Sequence, residues 1–174
     1  IVSIMKNNFD IFQKLLKLID DDINFCDFNG QSLLSHSISY SNEKVFNFIL
    51  TNDKFDSKKS KILETFVSSY SNMNKLTKNI TNIMTILYNY DKDHDHLIDF
   101  TQLLPQGKSF FTVIVAQNDG LGNVSDFLIE HGVDPNKPDK NGIYPLEKAI
   151  EINSFEIVHS LINSNKIDFS IKIL

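Results

Sequence analysis

The residues best suited to chemistry lie in one stretch, Asp91-Lys92-Asp93-His94-Asp95-His96-Leu97-Ile98-Asp99-Phe100-Thr101-Gln102. Asp91, Asp93 and Asp95 alternate, and Asp99 follows close behind. Closely spaced carboxylates supply the oxygen ligands, about six to eight of them, that calcium takes. His94 and His96 add two imidazoles, yet no cysteine or further histidine stands near enough in sequence to complete a zinc site. The sole cysteine, Cys26, falls between turn-forming residues with no base beside it, and a nucleophilic thiol needs one. His36 and His159 fall inside predicted helices, and His131 precedes a helix-ending glycine, so none of these is offered as that base.

The acidic spacing resembles the calcium loop of an EF-hand. Asp91, Asp93 and Asp95 take its first, third and fifth positions, Ile98 its apolar eighth and Asp99 its ninth, with Ile83–Leu87 as the incoming helix. Two letters depart from the pattern. His96 stands where the turn needs glycine, and Gln102 where a bidentate glutamate closes the site. The expectation is a solvated loop, with calcium at Asp91, Asp93, Asp95 and Asp99 as the alternative. Gly107-Lys108-Ser109 resembles the end of a phosphate-binding loop, but the leading glycine that loop requires would stand at position 102, which is Gln102. A hairpin tip is the expectation there. No nucleophile-elbow, dinucleotide or paired-carboxylate motif is present. The sequence therefore predicts no catalytic residues, no cofactor and no enzyme.

The elements that carry these residues follow from composition and repetition. Apolar residues make up 41% of the 174 and charged residues 22%, and fourteen Phe and five Tyr can fill a core. A net charge of -5 without a Lys/Arg run excludes nucleic acid and anionic membranes as favoured partners. No apolar run reaches membrane-spanning length, and Lys6 and Asp10 interrupt the N-terminal apolar stretch, so neither insertion nor a signal peptide is expected. One cysteine fits a reducing, intracellular setting, cytoplasmic by default. The first residue is Ile1, so a piece of a longer polypeptide is expected. The triplets Asn79-Ile80-Thr81 and Asn123-Val124-Ser125 are read as chance.

A shift of 112 residues lays 12–56 on 124–168 without a gap. Identities fall at Asp22/Asp134, Asn24/Asn136, Asp27/Asp139, Gly30/Gly142, Leu34/Leu146 and Ile38/Ile150, among others. These are turn formers and core positions, the two classes a shared backbone dictates. In one copy, Asp139-Lys140-Asn141-Gly142 signals a turn, Pro145 suits a first helical turn, and Leu146, Ala149 and Ile150 share one helix face. Asn153-Ser154 breaks that helix, and Ile157, Val158, Leu161 and Ile162 form a second stripe. The unit is a turn and two short helices in about 33 residues, which must bury their stripes against neighbouring copies.

The segment from Phe127 to Ile162 is similar to an ankyrin repeat junction. Gly132, Val133, Asp134, Pro135 and Asn136 match that family's helix end and linker, and Asp139, Gly142, Pro145, Leu146 and Ala149 its hairpin and first helix. Tyr144 and Glu147 replace the usual Thr and His; the first copy keeps Asp27, Gly30, Ser32 and Leu34. The resemblance implies an all-α fold, an ankyrin-type α-solenoid of about five helix-turn-helix repeats with short hairpin loops. The repeats divide as 1–24 (partial), 25–57, 58–100 (degenerate), 101–136 and 137–170, one solenoid over 1–174.

In the degenerate repeat, Leu63, Phe66, Val67 and Tyr70 mark one helix and Ile80, Ile83, Met84 and Leu87 the next, with an insertion within 68–82. Ile4, Phe9, Phe12, Leu15, Leu16 and Ile19 form the tail of a first repeat. The copy at Gln106-Gly107 uses Val113 and Ala116 in its first helix, with two extra residues between Gly107 and Val113.

Such a scaffold implies protein partners, read by hairpin tips and inner helices. Phe28, Gln31, Gln106, Lys108, Lys140 and Ile143 are the candidate contacts, and self-association through the terminal repeats is a further expectation. The alternatives are a calcium-responsive module using 91–102, or a regulatory or targeting segment of a larger enzyme.

Overall fold

The computed structural model of the protein describes residues 1–57, 61–70, 80–116 and 122–170, without the side chains at 106, 122 and 123. The side chains of Gln106 and Asn123, residue Asn79 and most of the expected insertion at 68–82 lie outside the described residues.

Among the described residues the fold is all-α, and its only β-type pairings are isolated bridges. The helices are α1 (Val2–Met5), α2 (Phe9–Leu16), α3 (Leu33–Ser39), α4 (Glu43–Leu50), α5 (Ile62–Tyr70), α6 (Ile80–Asp93), α7 (Phe110–Ala116), α8 (Gly122–Glu130), α9 (Pro145–Glu151) and α10 (Phe155–Asn163). Most are too short to hold their shape alone, so packing must sustain them.

The chain divides into two compact units, Ile1–Ile98 and Asp99–Leu174. Within the first, α1 packs on α3 and α3 on α5, while α2 packs on α4 and α4 on α6. Within the second, α7 packs on α9 and α8 on α10. Helices adjacent in sequence also pair, α1 with α2, α3 with α4, α7 with α8 and α9 with α10. Each unit is thus two adjoining rows, one of first helices and one of second helices.

Local chemistry sets the helix ends. Asn8 Oδ1 accepts the Ile11 N–H at 3.0 Å and Asn42 Oδ1 the Val45 N–H at 3.1 Å, capping α2 and α4. Just before each cap the chain turns through a left-handed residue, Asn7 (φ 53°) or Ser41 (φ 49°). Ser32 Oγ accepts the Ser35 N–H and Ser109 Oγ the Thr112 N–H, each at 3.1 Å, starting α3 and α7. At α9 Pro145 stands in the first turn and the Glu147 carboxylate accepts the Tyr144 N–H at 3.3 Å.

The 112-residue repeat is a repeat of structure. Leu33 plus 112 is Pro145 and Glu43 plus 112 is Phe155, so α3 starts as α9 does and α4 as α10 does. The Asn24 amide donates to the Lys54 carbonyl at 2.8 Å, and the Asn136 amide to the Lys166 carbonyl at 2.8 Å. Asn24 Oδ1 accepts the Asp56 N–H at 3.5 Å, and Asn136 Oδ1 the Asp168 N–H at 2.8 Å. Identical letters make identical bonds.

The N-terminal stripe, expected as the tail of a first repeat, forms a helix pair, α1 and α2, in which Phe12 and Leu16 are buried and Leu15 is exposed. Two expectations need correction. The repeat at Gln106-Gly107 has no extra residues before its first helix. A shift of 77 carries Leu33–Ser39 onto Phe110–Ala116 and Gly30 onto Gly107. Its two added residues fall instead between Ala116 and Gly122, six positions apart where Glu151 and Phe155 are four apart. Secondly, α6 continues through Asp93, so Asp91 and Asp93 are helical rather than part of a loop. The helices expected at 63–70 and 80–87 are present as α5 and α6.

Candidate functional site: the hairpin tips

The tips at 27–31 and 139–143 are built around one aspartate each. Asp27 Oδ1 accepts the N–H groups of Asn29 (2.8 Å) and Gln31 (2.9 Å); Asp139 Oδ1 accepts those of Asn141 (2.8 Å) and Ile143 (3.0 Å). The Asp27 N–H donates to the Gln31 carbonyl at 2.9 Å, and the Asp139 N–H to the Ile143 carbonyl at 3.0 Å. Asp27 has a second role. Its Oδ2 lies 3.0 Å from His36 Nε2, with both side chains nearly closed to solvent, which ties the tip to α3. The Gln31 N–H, opposed by desolvation and helped by His36 and the Asn29 N–H, holds the Asp27 carboxyl below the ordinary carboxylate range. The sequence hid this link, because the only signal is a histidine nine residues beyond the aspartate.

The tip at 104–108 lacks the aspartate. Leu104 takes its place, and the Leu104 N–H to Lys108 carbonyl bond (2.8 Å) closes the turn through backbone alone. This tip is held from outside. The Lys140 N–H of the following hairpin donates to the Gly107 carbonyl at 2.7 Å. The Lys140 side chain lies across the glycine so closely that a β-carbon on Gly107 would come within 2.7 Å of Lys140 Cβ. Gly107 has φ 75°, so the position demands glycine for conformation and for space. Gly107-Lys108-Ser109 is therefore a hairpin tip, as expected, with an isolated bridge between Leu103 and Ser109.

The candidate contact residues divide accordingly. Phe28 is 96% exposed, and Gln31 and Lys108 are exposed. Lys140 is exposed, although its stem covers Gly107. Ile143 is half-buried. Phe28 occupies the position of Lys140 in the 112-residue repeat, but no glycine seat meets it among the described residues.

Asp91 and Asp99 of the acidic stretch are spent on local bonds. Asp91 is buried; its Oδ1 accepts the Ile98 N–H at 2.6 Å and its Oδ2 stands 3.1 Å from His96 Nδ1. Asp99 Oδ1 accepts the Thr101 hydroxyl (2.6 Å) and N–H (2.8 Å), bonds that lower its pKa against the cost of burial, with help from Lys137. Asp93 and Asp95 point to solvent. His96 does adopt the left-handed conformation (φ 56°) that the calcium loop gives to glycine, as does Asp95 (φ 55°). Among the described residues, however, no three His, Cys, Asp or Glu side chains gather where they could share a metal ion.

His94 and His131 each bond the backbone carbonyl four residues back, at Tyr90 (2.8 Å) and Phe127 (2.7 Å), and stack on that residue's ring. Cys26 is exposed and opens on a cleft of about 240 Å³ whose lining includes Ser32, Leu34 and Phe55. Among the described residues of that lining, Cys26 is the only one with an ionisable side chain.

A comparison with protein-family models finds no match, and a comparison with curated proteins finds none. No helix among the described residues is long and apolar enough to cross a membrane.

Proposed function

We propose that this chain is a protein-interaction scaffold: an ankyrin-type α-solenoid that binds a partner protein through its hairpin tips and first helices. The observation that carries the reading is Phe28. An aromatic ring 96% exposed at the tip of a turn pinned by Asp27 and His36 is costly to leave bare, and an exposed aromatic on a rigid mount suits a binding anchor. Gln31 beside it offers an amide for orientation. The rows of first and second helices in each unit, and the bond-for-bond agreement of the two tips, support the ankyrin-type reading. A single cysteine with an exposed thiol fits an intracellular, cytoplasmic setting. No specific observation favours calcium control or an enzyme-linked role; Asp91 and Asp99, two of the four carboxylates a calcium loop would use here, are committed to local partners.

The test is a selection of binding proteins from a displayed library against the folded chain, followed by competition with single-site variants. Phe28→Ala weakens the selected binders by tenfold or more, about the worth of one anchor residue, and Gln31→Ala by less. If binders of independent sequence tolerate every substitution at Phe28, Gln31, Lys108 and Lys140, the tips are not the reading surface.

A further inference from the structure

The cleft beside Cys26 has a counterpart in the second unit, and the counterpart is closed. A shift of 77 carries its walls Ile23, Asn24, Ser32 and Leu34 onto Phe100, Thr101, Ser109 and Phe111, which line the second cleft. The first holds about 240 Å³ and the second about 10 Å³. The second is closed by Val133, Asp134 and Lys137, from the connection that runs on to the 139–143 tip. That tip lays Lys140 over Gly107 and donates the Lys140 N–H to the Gly107 carbonyl at 2.7 Å.

The tip at 27–31 has the same glycine conformation, φ 76° at Gly30 against 75° at Gly107. Among the described residues, nothing stands within 4 Å of a β-carbon built on Gly30, and the Gly30 carbonyl accepts no hydrogen bond. The sequence accounts for the difference. Eleven residues, 51–61, separate α4 from α5, against fourteen, 131–144, between α8 and α9. No glycine occurs between Gly30 and Gly107, so the repeat after the first tip lacks the left-handed glycine on which the tips at 30, 107 and 142 turn. The opening is internal to the chain, with Phe55 before it and Thr65 of α5 after it.

We propose that this cleft binds a lysine-bearing reverse turn of a partner protein, in the place where a following tip would lie. A main-chain N–H of that turn bonds the Gly30 carbonyl, and the lysine stem covers Gly30 and reaches Ile23, Leu34 and Phe55, as Lys140 does at Gly107. Size favours a side chain over a cofactor. The cleft of about 240 Å³ is smaller than the roughly 300–1,000 Å³ of small-molecule sites, and larger than the roughly 150 Å³ that takes one benzene. Charge favours a cation. Asn24, in the wall, is bonded to Asp22 (3.0 Å), Asp56 (3.5 Å) and the Lys54 carbonyl (2.8 Å), so carboxylates outnumber ammonium groups among its partners. The site extends the scaffold reading but uses a surface other than the Phe28 ring, so the two can fail separately.

The probe is a cyclised peptide of residues 136–147, the turn that fills this role in the second unit. Added to the whole chain, it should shift the amide resonances of Gly30, Cys26 and Thr65 with saturation. It should also slow the reaction of Cys26, the sole cysteine, with an aromatic disulfide by about fivefold or more. Methylating the peptide nitrogen of its lysine removes the donor, and alanine in place of that lysine removes the stem; each should weaken binding by about fivefold. Cys26→Phe fills the cleft from an exposed position and should abolish binding, whereas Phe28→Ala should bind the peptide as the wild type does. The two modified peptides act on the wild-type chain, so the outcome does not hang on how a variant folds. No saturable shift up to about 2 mM peptide, or a methylated peptide that binds as tightly as its parent, overturns the proposal. So does loss of peptide binding in Phe28→Ala, which places the peptide on the tip. Binding that emerges only in Lys58→Ala/Lys59→Ala gives the cleft to this chain's own 57–61 segment and overturns it too.

Discussion

Replacing Gly107 by alanine should cost more than the same change at either comparable glycine, and the structure says by how much. Gly30, Gly107 and Gly142 all sit at a left-handed turn position, with φ 76°, 75° and 79°. Alanine in that conformation costs about 1 kcal/mol wherever it is placed. At Gly30 and Gly142 nothing stands within 4 Å of the added methyl, so the conformational cost is the whole cost. At Gly107 the methyl meets the Lys140 stem, including Cβ at 2.7 Å, which cannot swing away without its backbone. The 2.7 Å bond from the Lys140 N–H to the Gly107 carbonyl opens with it. Losing that bond and its packing adds about 1–2 kcal/mol.

For a chain of 174 residues, about 1 kcal/mol moves the melting temperature by about 3 °C. Thermal melts followed by circular dichroism should then show drops of about 3 °C for Gly30→Ala and Gly142→Ala, and about 6–9 °C for Gly107→Ala. A cycle with Lys140→Gly, which removes the obstructing stem, should return a coupling of about 1 kcal/mol. Equal losses at all three glycines, or a cycle additive to within about 0.5 kcal/mol, would refute the account of tip-to-tip contact.

Three more perturbations follow from the same bonds. Asn42→Ala should destabilise by about 2 kcal/mol in urea unfolding, since it removes both the cap on Val45 and the buried bond from the Asn42 amide to the Ile4 carbonyl (3.0 Å); Asn42→Ser should recover the cap and about half the loss. The depressed pKa of Asp27 means that the folded state binds its proton less readily than the unfolded state, so its stabilisation is full above the unfolded value and is lost as pH falls through the folded one. Asp27→Asn keeps an oxygen for the Asn29 and Gln31 N–H groups but no titration, so its stability should fall less steeply below about pH 4 in an acid series, and an unchanged slope would assign the acid limb elsewhere. Calcium should leave the melting temperature where it is, because Asp91 and Asp99 are committed to Ile98 and Thr101; a rise that grows with calcium would reinstate 91–102 as a site.

The parts of this fold that were legible in the sequence are those where one side chain performs one fixed bond. Asp27, Asp139, Asn24 and Asn136 recur because each is tied to particular backbone groups, and a shift of the chain against itself finds them. The register of α7 was not legible from its apolar letters. Phe110, Phe111, Thr112, Val113, Ile114 and Val115 are all buried, so no polar face marks which residues point inward. What sets its start is Ser109, a polar residue, through its bond to Thr112. The stripe Ile4, Phe9, Phe12, Leu15, Leu16 and Ile19 marks apolar positions but not the break at Asn7-Asn8 that divides it into α1 and α2. Of the candidate site, the exposure of Phe28 was a choice between two packings that only coordinates could separate. The bonds of Asp91 to Ile98 and His96 depend on α6 reaching Asp93, whereas the spacing alone places that segment in a loop.

The pinned turn at 27–31 has one more consequence. Asp27 grips main-chain N–H groups and the His36 ring, so the side chains at 28 and 31 take no part in forming the loop. Substitutions there alter what the surface prefers while the mount keeps its shape, and selectivity can drift by single steps with no refolding to survive along the way. The tip at 104–108 has no such latitude, since its shape is lent to it by the lysine lying across Gly107. Diversity among descendants of this chain should therefore gather at the first tip and stay away from the second.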